Sequence, residues 1–322
     1  MEIVDESTSR EQNYKLDFIG NGSDFFGILI INWLLTVVTL GFYYPWAKAK
    51  KLQYLYNATT LNDNSFEFHG TGKEMFKGFI KAIIIFGLLY AMLMGFTLGL
   101  KMPIVGVVVF YLAFLAILPI AIHGSYKYRM SRSSWRGIRF GYRGDRNELI
   151  QNFFKWVGLT IITLGIYGSW LVINLRNYLI GNIKFGDINF KYEGNGSDYF
   201  LLNLKGYLLT VFTLGIYFFW WQKNLTEYYI NNISLDKEDD TIKLESSVTG
   251  GDLFKLTIVN LLMIIFTLGL ASAWVEIRTI NFLISNIHLK GTINLDSISQ
   301  TEVNYKDATG DDIQDMLDMD FV

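Results

Sequence analysis

The feature that most constrains this chain is a spacing pattern that recurs around Thr-Leu-Gly. The glycines of four such tripeptides are Gly41, Gly165, Gly215 and Gly269. An acidic residue lies seventeen positions before each glycine, and a tryptophan lies five positions after it. Because a repeat shows how often one structural unit recurs, it constrains the fold before any single helix is assigned.

Each repeat is long enough for a pair of helices that doubles back at the glycine. The acids are Asp24, Glu148, Asp198 and Asp252, and the tryptophans are Trp46, Trp170, Trp220 and Trp274. An acid in the first turn complements the helix dipole, and a glycine after the last turn adopts the left-handed conformation that ends a helix. We therefore expect a 17-residue helix, a turn at Thr-Leu-Gly and a return helix in every repeat.

Composition indicates that these helices lie in a membrane. Hydrophobic residues make up 51% of the 322 residues and charged residues only 18%, whereas a soluble chain carries about 25% charged residues. The strongest apolar stretches cover residues 25–44, 79–100, 104–122, 153–167, 200–221 and 253–274. Most of them reach the roughly 17–25 residues that a membrane-crossing helix requires. At least six full spans are therefore expected.

Short alternating segments between the helical pairs predict β-strands. They are Leu16-Asp17-Phe18, Phe66-Glu67-Phe68, Ile138-Arg139-Phe140, Ile188-Asn189-Phe190, Ile242-Lys243-Leu244 and Ile293-Asn294-Leu295. Equivalent copies of a repeat belong on the same side of the bilayer, so each interval should hold an even number of crossings. We therefore expect an all-α multi-pass membrane protein of five helical hairpins, about ten helices in total, with short cytoplasmic β-strands between the hairpins.

Eight segments follow from this arrangement. They are a polar N-terminal segment with a strand (1–23), a first hairpin (24–61), a divergent second hairpin (62–126), a basic cytoplasmic segment (127–147), a third hairpin (148–183), a strand with a fourth hairpin (184–233), a strand with a fifth hairpin (234–288), and a strand with an acidic tail (289–322). In the second hairpin, two apolar stretches meet at the tight turn Lys101-Met102-Pro103.

Basic residues orient the hairpins. Residues 127–146 hold seven basic side chains, whereas the opposite turns hold essentially only Lys101. The positive-inside rule then places the strands and both termini in the cytoplasm. A second topology stays open, in which only six segments cross and the return arms lie at the interface as amphipathic helices. It is favoured by Lys48, Lys50 and Lys51, which are costly inside hydrocarbon.

The start and the turn of the first repeat resemble those of a known family. Gly20-Asn21-Gly22-Ser23-Asp24-Phe25-Phe26 and Thr39-Leu40-Gly41-Phe42-Tyr43-Tyr44-Pro45-Trp46 are similar to motifs of the YjgN-like family of bacterial inner-membrane proteins. The resemblance covers roughly residues 14–295. It implies a multi-pass inner-membrane location and an uncharacterised function, and it supplies no catalytic residues.

A stripe of polar and aromatic residues on the return helices is the best candidate for a binding site. Side chains four residues apart share a helix face. The stripe holds Lys50, Asn174, Asn224 and Arg278 beside Trp46, Trp170, Trp220 and Trp274. Because ionisable groups inside a membrane are functional candidates, the stripe predicts a hydrated central cavity that binds substrate. The alternative is interhelical hydrogen bonding with interfacial anchoring by the tryptophans.

Other chemistry is not indicated. Three scattered histidines and no cysteine give neither a metal site nor a catalytic triad, and there is no cofactor or enzyme signature. A net charge of −2 argues against nucleic-acid binding. The expected partners are the lipid bilayer, anionic lipid headgroups at the basic segment from Lys127 to Arg146, and a protein partner for the acidic tail at residues 311–322.

Internal repetition around a polar interior is how many transporter sites are built. We therefore expect an inner-membrane transporter or conduit for a small polar solute. The alternative is a non-transporting membrane scaffold or lipid-binding protein that uses the basic segment and the acidic tail as docking surfaces.

Overall fold

The computed structural model describes residues 12–301, which form ten α-helices and an eleven-stranded antiparallel sheet. The helices are α1 (Gly22–Val38), α2 (Tyr44–Ala58), α3 (Gly72–Met94), α4 (Pro103–Ser131), α5 (Arg146–Ile162), α6 (Gly168–Gly181), α7 (Gly196–Phe212), α8 (Phe218–Asn231), α9 (Gly250–Phe266) and α10 (Ser272–Ser285). The strands are β1 (Gln12–Tyr14), β2 (Leu16–Phe18), β3 (Thr59–Leu61), β4 (Asn64–Phe68), β5 (Ser133–Trp135), β6 (Ile138–Tyr142), β7 (Ile183–Phe185), β8 (Ile188–Tyr192), β9 (Ile233–Lys237), β10 (Asp240–Ser246) and β11 (Ile287–Gly291).

The expected all-α fold is therefore wrong, because the strands between the helical hairpins form one continuous sheet. Period-two alternation marks five of them, β2, β4, β6, β8 and β10. Five of the other six strands, β3, β5, β7, β9 and β11, follow a return helix within one residue, so no break in the sequence announces them. For β3 and β5 the signal was the turn that follows, since Asn62-Asp63 and Arg136-Gly137 have positive φ at both residues, as a type I′ hairpin turn requires.

The sixth expected strand, Ile293-Asn294-Leu295, is also wrong. The chain leaves β11 at Gly291 and enters the core of the sheet, where Ile293 is fully buried and Leu295–Ser297 form a turn of 3-10 helix. The Ile293 carbonyl accepts a hydrogen bond from Tyr14 Oη at 2.5 Å. Such a segment alternates because alternate residues enter the core, and this pattern does not require strand pairing.

The sheet closes on itself through its N-terminal residues. The strand order is β1-β11-β10-β9-β8-β7-β6-β5-β4-β3-β2. The strands at its two ends, β1 and β2, are consecutive in the chain and separated only by Lys15. The sheet is thus a nearly closed barrel, which avoids the long free edges that open sheets expose.

The interior of this barrel is filled. A continuous hydrophobic core includes Trp135, Ile188 and Ile293, each at most 1% exposed. The outer face carries polar side chains and ion pairs such as the one between Lys191 and Asp236. An apolar inside and a charged outside indicate that water surrounds the barrel.

The ten helices form a closed ring at one end of the barrel. Each helix packs against the next in the chain, and α10 packs against α1. The first helix of each hairpin begins at a capping side chain that accepts a backbone N–H; the caps are Asn21, Thr71, Asp145, Asn195 and Thr249. These caps, with an acid in every first turn, explain why each helix starts where it does.

Two helices among the described residues are long and apolar enough to cross a membrane, so the expectation of at least six full spans is wrong. They cover Gly72–Gly99, which is α3 with a π-helical extension, and Pro103–Ser131. In the most apolar stretch of each helix, only 6% and 11% of the residues are buried inside the protein, so they are not core helices of a soluble fold.

The other four hairpins pair a 17-residue helix with a return helix of 14 or 15 residues. At 1.5 Å per residue the longer helix reaches about 25 Å, less than the roughly 30 Å of a bilayer core. The apolar stretches of the sequence overestimated these helices because hydropathy continues through the Thr-Leu-Gly turn, where the helix has already ended.

Neighbouring hairpins pack together through the repeated tryptophans. Each indole lies against the first glycine of a following hairpin: Trp46 on Gly72, Trp170 on Gly196, Trp220 on Gly250 and Trp274 on Gly22. A Cβ at any of these glycines would overlap the indole ring. The last pair joins the fifth hairpin to the first, so this contact also closes the ring.

Replacing Gly196 with alanine should destabilise the protein by about 1–3 kcal/mol, because the added methyl group overlaps Trp170 in a packed contact. Gly158→Ala is the matched control, since nothing lies within 4 Å of its new methyl group and alanine favours a helix interior. Thermal unfolding of both variants in one detergent measures the difference. Equal unfolding temperatures would contradict a packing role for the Trp170 contact.

Truncating Ile293 to alanine should lower the free energy of unfolding by about 2–5 kcal/mol, because it leaves a cavity in the barrel core. Ile19→Ala removes the same atoms from a side chain that is 68% exposed, and it should change stability far less. Chemical denaturation followed by tryptophan fluorescence checks both variants. Similar losses in the two would mean that residues beyond β11 do not contribute to the core.

Candidate functional site

The four Thr-Leu-Gly turns share one backbone geometry. Leu40, Leu164, Leu214 and Leu268 have φ between 49° and 51°, and the glycines that follow have φ between 90° and 95°. In each turn the glycine N–H donates to the carbonyl five residues back, and the leucine N–H donates to the carbonyl three residues back. This is a Schellman helix end in which leucine occupies the left-handed position where glycine is usual.

The threonine of each tripeptide holds the turn in place. Thr163 Oγ1 donates to the Leu159 carbonyl at 2.8 Å and accepts the Tyr167 N–H at 2.9 Å. Thr39, Thr213 and Thr267 make the same two bonds. The hydroxyl group thus links the end of one helix to the start of the return helix, which explains why threonine recurs there.

The turns carry the most exposed large hydrophobic side chains among the described residues. The tip leucines Leu40, Leu164, Leu214 and Leu268 are 89–94% exposed. In the last turn of the preceding helices, Val38, Ile162, Phe212 and Phe266 are 78–82% exposed. We call these eight residues the apolar rim. A rim of this kind, at the end of the molecule away from the charged barrel surface, indicates contact with an apolar medium.

The four polar residues of the predicted site lie on four different return helices. Lys50 is exposed, with Nζ 5.9 Å from the centroid of the Tyr43 ring, and Asn174 Nδ2 donates to Tyr167 Oη at 3.4 Å. Asn224 and Arg278 are half-buried. Within residues 12–301 no hydrogen bond or ion pair joins any two of the four. The tryptophans Trp46, Trp170, Trp220 and Trp274 lie in the hairpin contacts described above. A shared substrate site stays a prediction.

The tyrosines of the same stripe bind the start of their own hairpin. Tyr54 Oη accepts from the Asn21 N–H and donates to the Asn21 carbonyl, both at 2.9 Å. Tyr228 makes the same pair of bonds to Asn195. Burial and the neighbouring Glu148 carboxylate raise the pKa of Tyr178 to about 12, so this phenol is a neutral hydrogen-bond donor at physiological pH.

Polar contacts between hairpins were missed by sequence reasoning. Lys51 Nζ lies 2.7 Å from Glu276 Oε1 and joins α2 to α10, the two helices on either side of α1. The guanidinium of Arg176 lies 3.6 Å from the ring centroid of Tyr229 and joins α6 to α8 on either side of α7. The ionisable residues were visible in the sequence, but no spacing rule connects partners on different hairpins.

The basic segment belongs largely to the barrel, because β5 and β6 lie within residues 127–146. Arg132 Nε is 3.2 Å from Glu74 Oε2, and Arg136 Nη1 is 2.5 Å from Asp296 Oδ1. Binding of anionic lipid at this segment stays a prediction. The acidic tail at residues 311–322 and its expected partner, like residues 1–11, lie outside the described residues.

A groove of about 290 Å³ lies on the outer face of the barrel, lined by Arg143, Lys184, Gly186, Asp187, Asn189 and Thr301. The Asp187 carboxylate is 3.1 Å from Lys237 Nζ and accepts the Ser299 hydroxyl at 2.9 Å. These contacts give the acid a structural role in holding the segment after β11. In the described part of the chain, no three histidine or acidic side chains are arranged to hold a metal ion.

The family described as "Bacterial protein of unknown function (DUF898)" matches residues 13–195 and 221–316. Inner membrane protein YjgN of Salmonella typhimurium is 28% identical over 179 residues, covering 56% of this chain and 43% of that protein. Inner membrane protein YjgN of Escherichia coli strain K12 is 33% identical over 125 residues, covering 39% of this chain and 30% of that protein. The matches thus span less than half the length of these relatives. No solved structure matches significantly.

The family match includes three of the four repeated glycines, Gly41, Gly165 and Gly269, while Gly215 lies between its two matched parts. Together with the similar relatives, it confirms the resemblance inferred from the sequence. The names of the relatives support an inner-membrane location and give no substrate. The chain therefore belongs to the family described as "Bacterial protein of unknown function (DUF898)", and it is similar to inner-membrane proteins named YjgN.

Proposed function

We propose that this protein is a lipid-binding scaffold of the bacterial inner membrane. Its helical hairpins enter the bilayer from one side, and its barrel stays in water. The observation that supports this is the apolar rim, in which four leucines occupy a strained backbone conformation and leave 89–94% of their surface exposed.

The energetics of one tip leucine favour lipid as its surroundings. A non-glycine residue in the left-handed region costs roughly 1–2 kcal/mol. Transfer of a leucine side chain from water to an apolar medium gains about 1.5–3 kcal/mol. Because the tip leucines are almost fully exposed, the protein itself supplies almost none of this gain. Backbone strain that no contact within the fold offsets points to function, and contact of the rim with hydrocarbon would offset it.

The second hairpin enters deeper than the other four. Its helical segments of 28 and 29 residues extend to about 42 Å, enough to cross the roughly 30 Å core of a bilayer twice. The shorter hairpins are then re-entrant, beginning and ending on the barrel side. Lys127 and Arg129 lie at the barrel end of α4 and Lys101 lies at the opposite turn, so the positive-inside rule favours a cytoplasmic barrel.

Spin labelling tests this arrangement, because the chain contains no native cysteine. Nitroxides at Leu40→Cys, Leu164→Cys and Leu214→Cys in proteoliposomes should collide often with oxygen, which concentrates in hydrocarbon, and rarely with a water-soluble nickel complex. Lys243→Cys, exposed on the outer face of β10, is the control and should show the reverse. Rim labels as accessible to nickel as the label at position 243 would contradict insertion.

A conduit for a small polar solute is the second candidate. It is favoured by Lys51 and Glu276, because ionisable residues among membrane helices often mark a pathway. The filled barrel disfavours it, since Trp135, Ile188 and Ile293 occupy the interior that a straight polar path would need.

Flux measurements separate the two candidates. Under the scaffold proposal, proteoliposomes should take up radiolabelled glycine and sorbitol no faster than protein-free liposomes, and Lys50→Ala and Arg278→Ala should behave like the wild type. Uptake by the wild type that falls in either variant would support the conduit and the predicted polar site instead.

A further inference from the structure

A set of lysines recurs at equivalent positions of the first helices of the hairpins. Lys81, Lys155 and Lys205 are each the tenth residue of α3, α5 and α7. Lys77 and Lys255 are each the sixth residue of α3 and α9, one turn nearer the barrel on the same face. We propose that these five residues, the lysine belt, bind the phosphate groups of anionic phospholipids in the leaflet next to the barrel, an inference that rests on the proposed function.

The belt faces away from the axis of the ring. The fourth residue of a first helix points to the core, since Phe25 shares a cluster with Phe18, and Met75 shares one with Phe68. Phe18 and Phe68 are the last residues of β2 and β4 whose side chains face the inside of the barrel. The clusters that contain them therefore extend the interior of the barrel toward the helices. At about 100° per residue, the sixth and tenth residues lie about 160° and 120° from the fourth. Both positions are therefore on the outside of the ring.

The belt lacks counter-charges within the described chain. Lys77, Lys155, Lys205 and Lys255 are exposed and Lys81 is half-buried. Between residues 12 and 301, none of the five forms a hydrogen bond or an ion pair. An ammonium on the outer face of a helix that continues into the apolar rim is favourable where a counter-charge lies beside the protein.

The position of the belt along the helices matches the headgroup region. Lys155 and Lys205 lie about 14 Å from the first residue of their helices. Beyond them the exposed positions are hydrophobic, as at Ile161 and Ile162, while Glu148 and Asp198 lie on the barrel side. The four-carbon stem of lysine can lie along the apolar surface while the ammonium reaches the phosphate plane. An acidic protein would satisfy the ammonium groups but leave the hydrophobic residues above them in water.

The first helix departs from the pattern in a way that the proposal accommodates. Gly27 and Ile31 occupy the sixth and tenth positions of α1, so the belt covers four of the five hairpins. The association with anionic lipid is therefore expected around most of the ring, with a gap in the belt at α1, the helix that meets α10.

Electron spin resonance of spin-labelled lipids tests the belt. The wild-type protein, reconstituted in equal parts of phosphatidylcholine and phosphatidylglycerol, should hold labelled phosphatidylglycerol several-fold more strongly than labelled phosphatidylcholine. The variant Lys77→Gln, Lys155→Gln, Lys205→Gln, Lys255→Gln keeps only Lys81 of the belt. It should lower that ratio several-fold, because each lysine near an anionic surface contributes about a fivefold preference. High salt should reduce the wild-type ratio as well.

A matched control carries Lys15→Gln, Lys184→Gln, Lys191→Gln and Lys243→Gln on the barrel, which removes the same net charge and should keep the wild-type ratio. Equal retention of both lipids by the wild type, or equal loss in the two variants, would overturn the belt. A nitroxide at position 164 in the variant with four belt lysines replaced separates the two proposals. If that label remains in hydrocarbon while the wild type shows no lipid selectivity, the lipid-binding role of the lysine belt is contradicted and the proposed insertion of the hairpins is not.

Discussion

The architecture depends on how the ends of one sheet are paired. Strands β1 and β2 are consecutive in the chain, yet β1 pairs with the last strand and β2 with β3, so the first few described residues join both ends of the sheet. Because each helical hairpin connects two neighbouring strands, closing the sheet also brings the helices into a ring, and α10 meets α1. The contact of Trp274 with Gly22 closes the ring of helices, and Tyr14 and Leu16 close the sheet in the same way.

The closed ring separates the molecule into zones that require different solvents. The barrel has charged side chains outside and hydrophobic side chains inside, as expected for a body in water. The ends of the hairpins are apolar and unusually exposed, and the tip leucines hold a conformation that costs energy in the isolated protein. The lysine belt lies between the zones. A bilayer surface supplies water, phosphate and hydrocarbon in that order, which is why we interpret the three zones together.

Local patterns in the sequence identified the elements that depend on local interactions. The acid and the glycine of each repeat mark helix ends that are capped and closed by backbone hydrogen bonds, and the alternation at Ile188-Asn189-Phe190 marks a strand with one face in the core. The span count failed because hydropathy measures composition and does not detect where a helix stops. One threonine and one leucine, Thr163 and Leu164, do not interrupt an apolar stretch, but the hydrogen bonds of Thr163 and the positive φ of Leu164 end the helix.

The candidate site shows the same division. A four-residue period correctly groups Trp170, Asn174 and Tyr178 on one face, but a period cannot say which neighbour that face meets. The structure places Trp170 against the next hairpin and Tyr178 against the start of its own. The polar contacts of Lys51 and Arg176 join separate hairpins, so they could not be found without knowing that the ring closes.

The sequence by itself determined the repeat, the positions of the helix ends and turns, and the membrane character of the chain, because these follow from spacing, capping and composition within a few tens of residues. Only the tertiary structure decided that the short strands form a closed barrel, that four hairpins are too short to cross a bilayer, and that the lysines face outward. Those outcomes depend on strand pairing and packing between residues up to 279 positions apart, as in the bond from Tyr14 to Ile293. No local pattern encodes such a pairing.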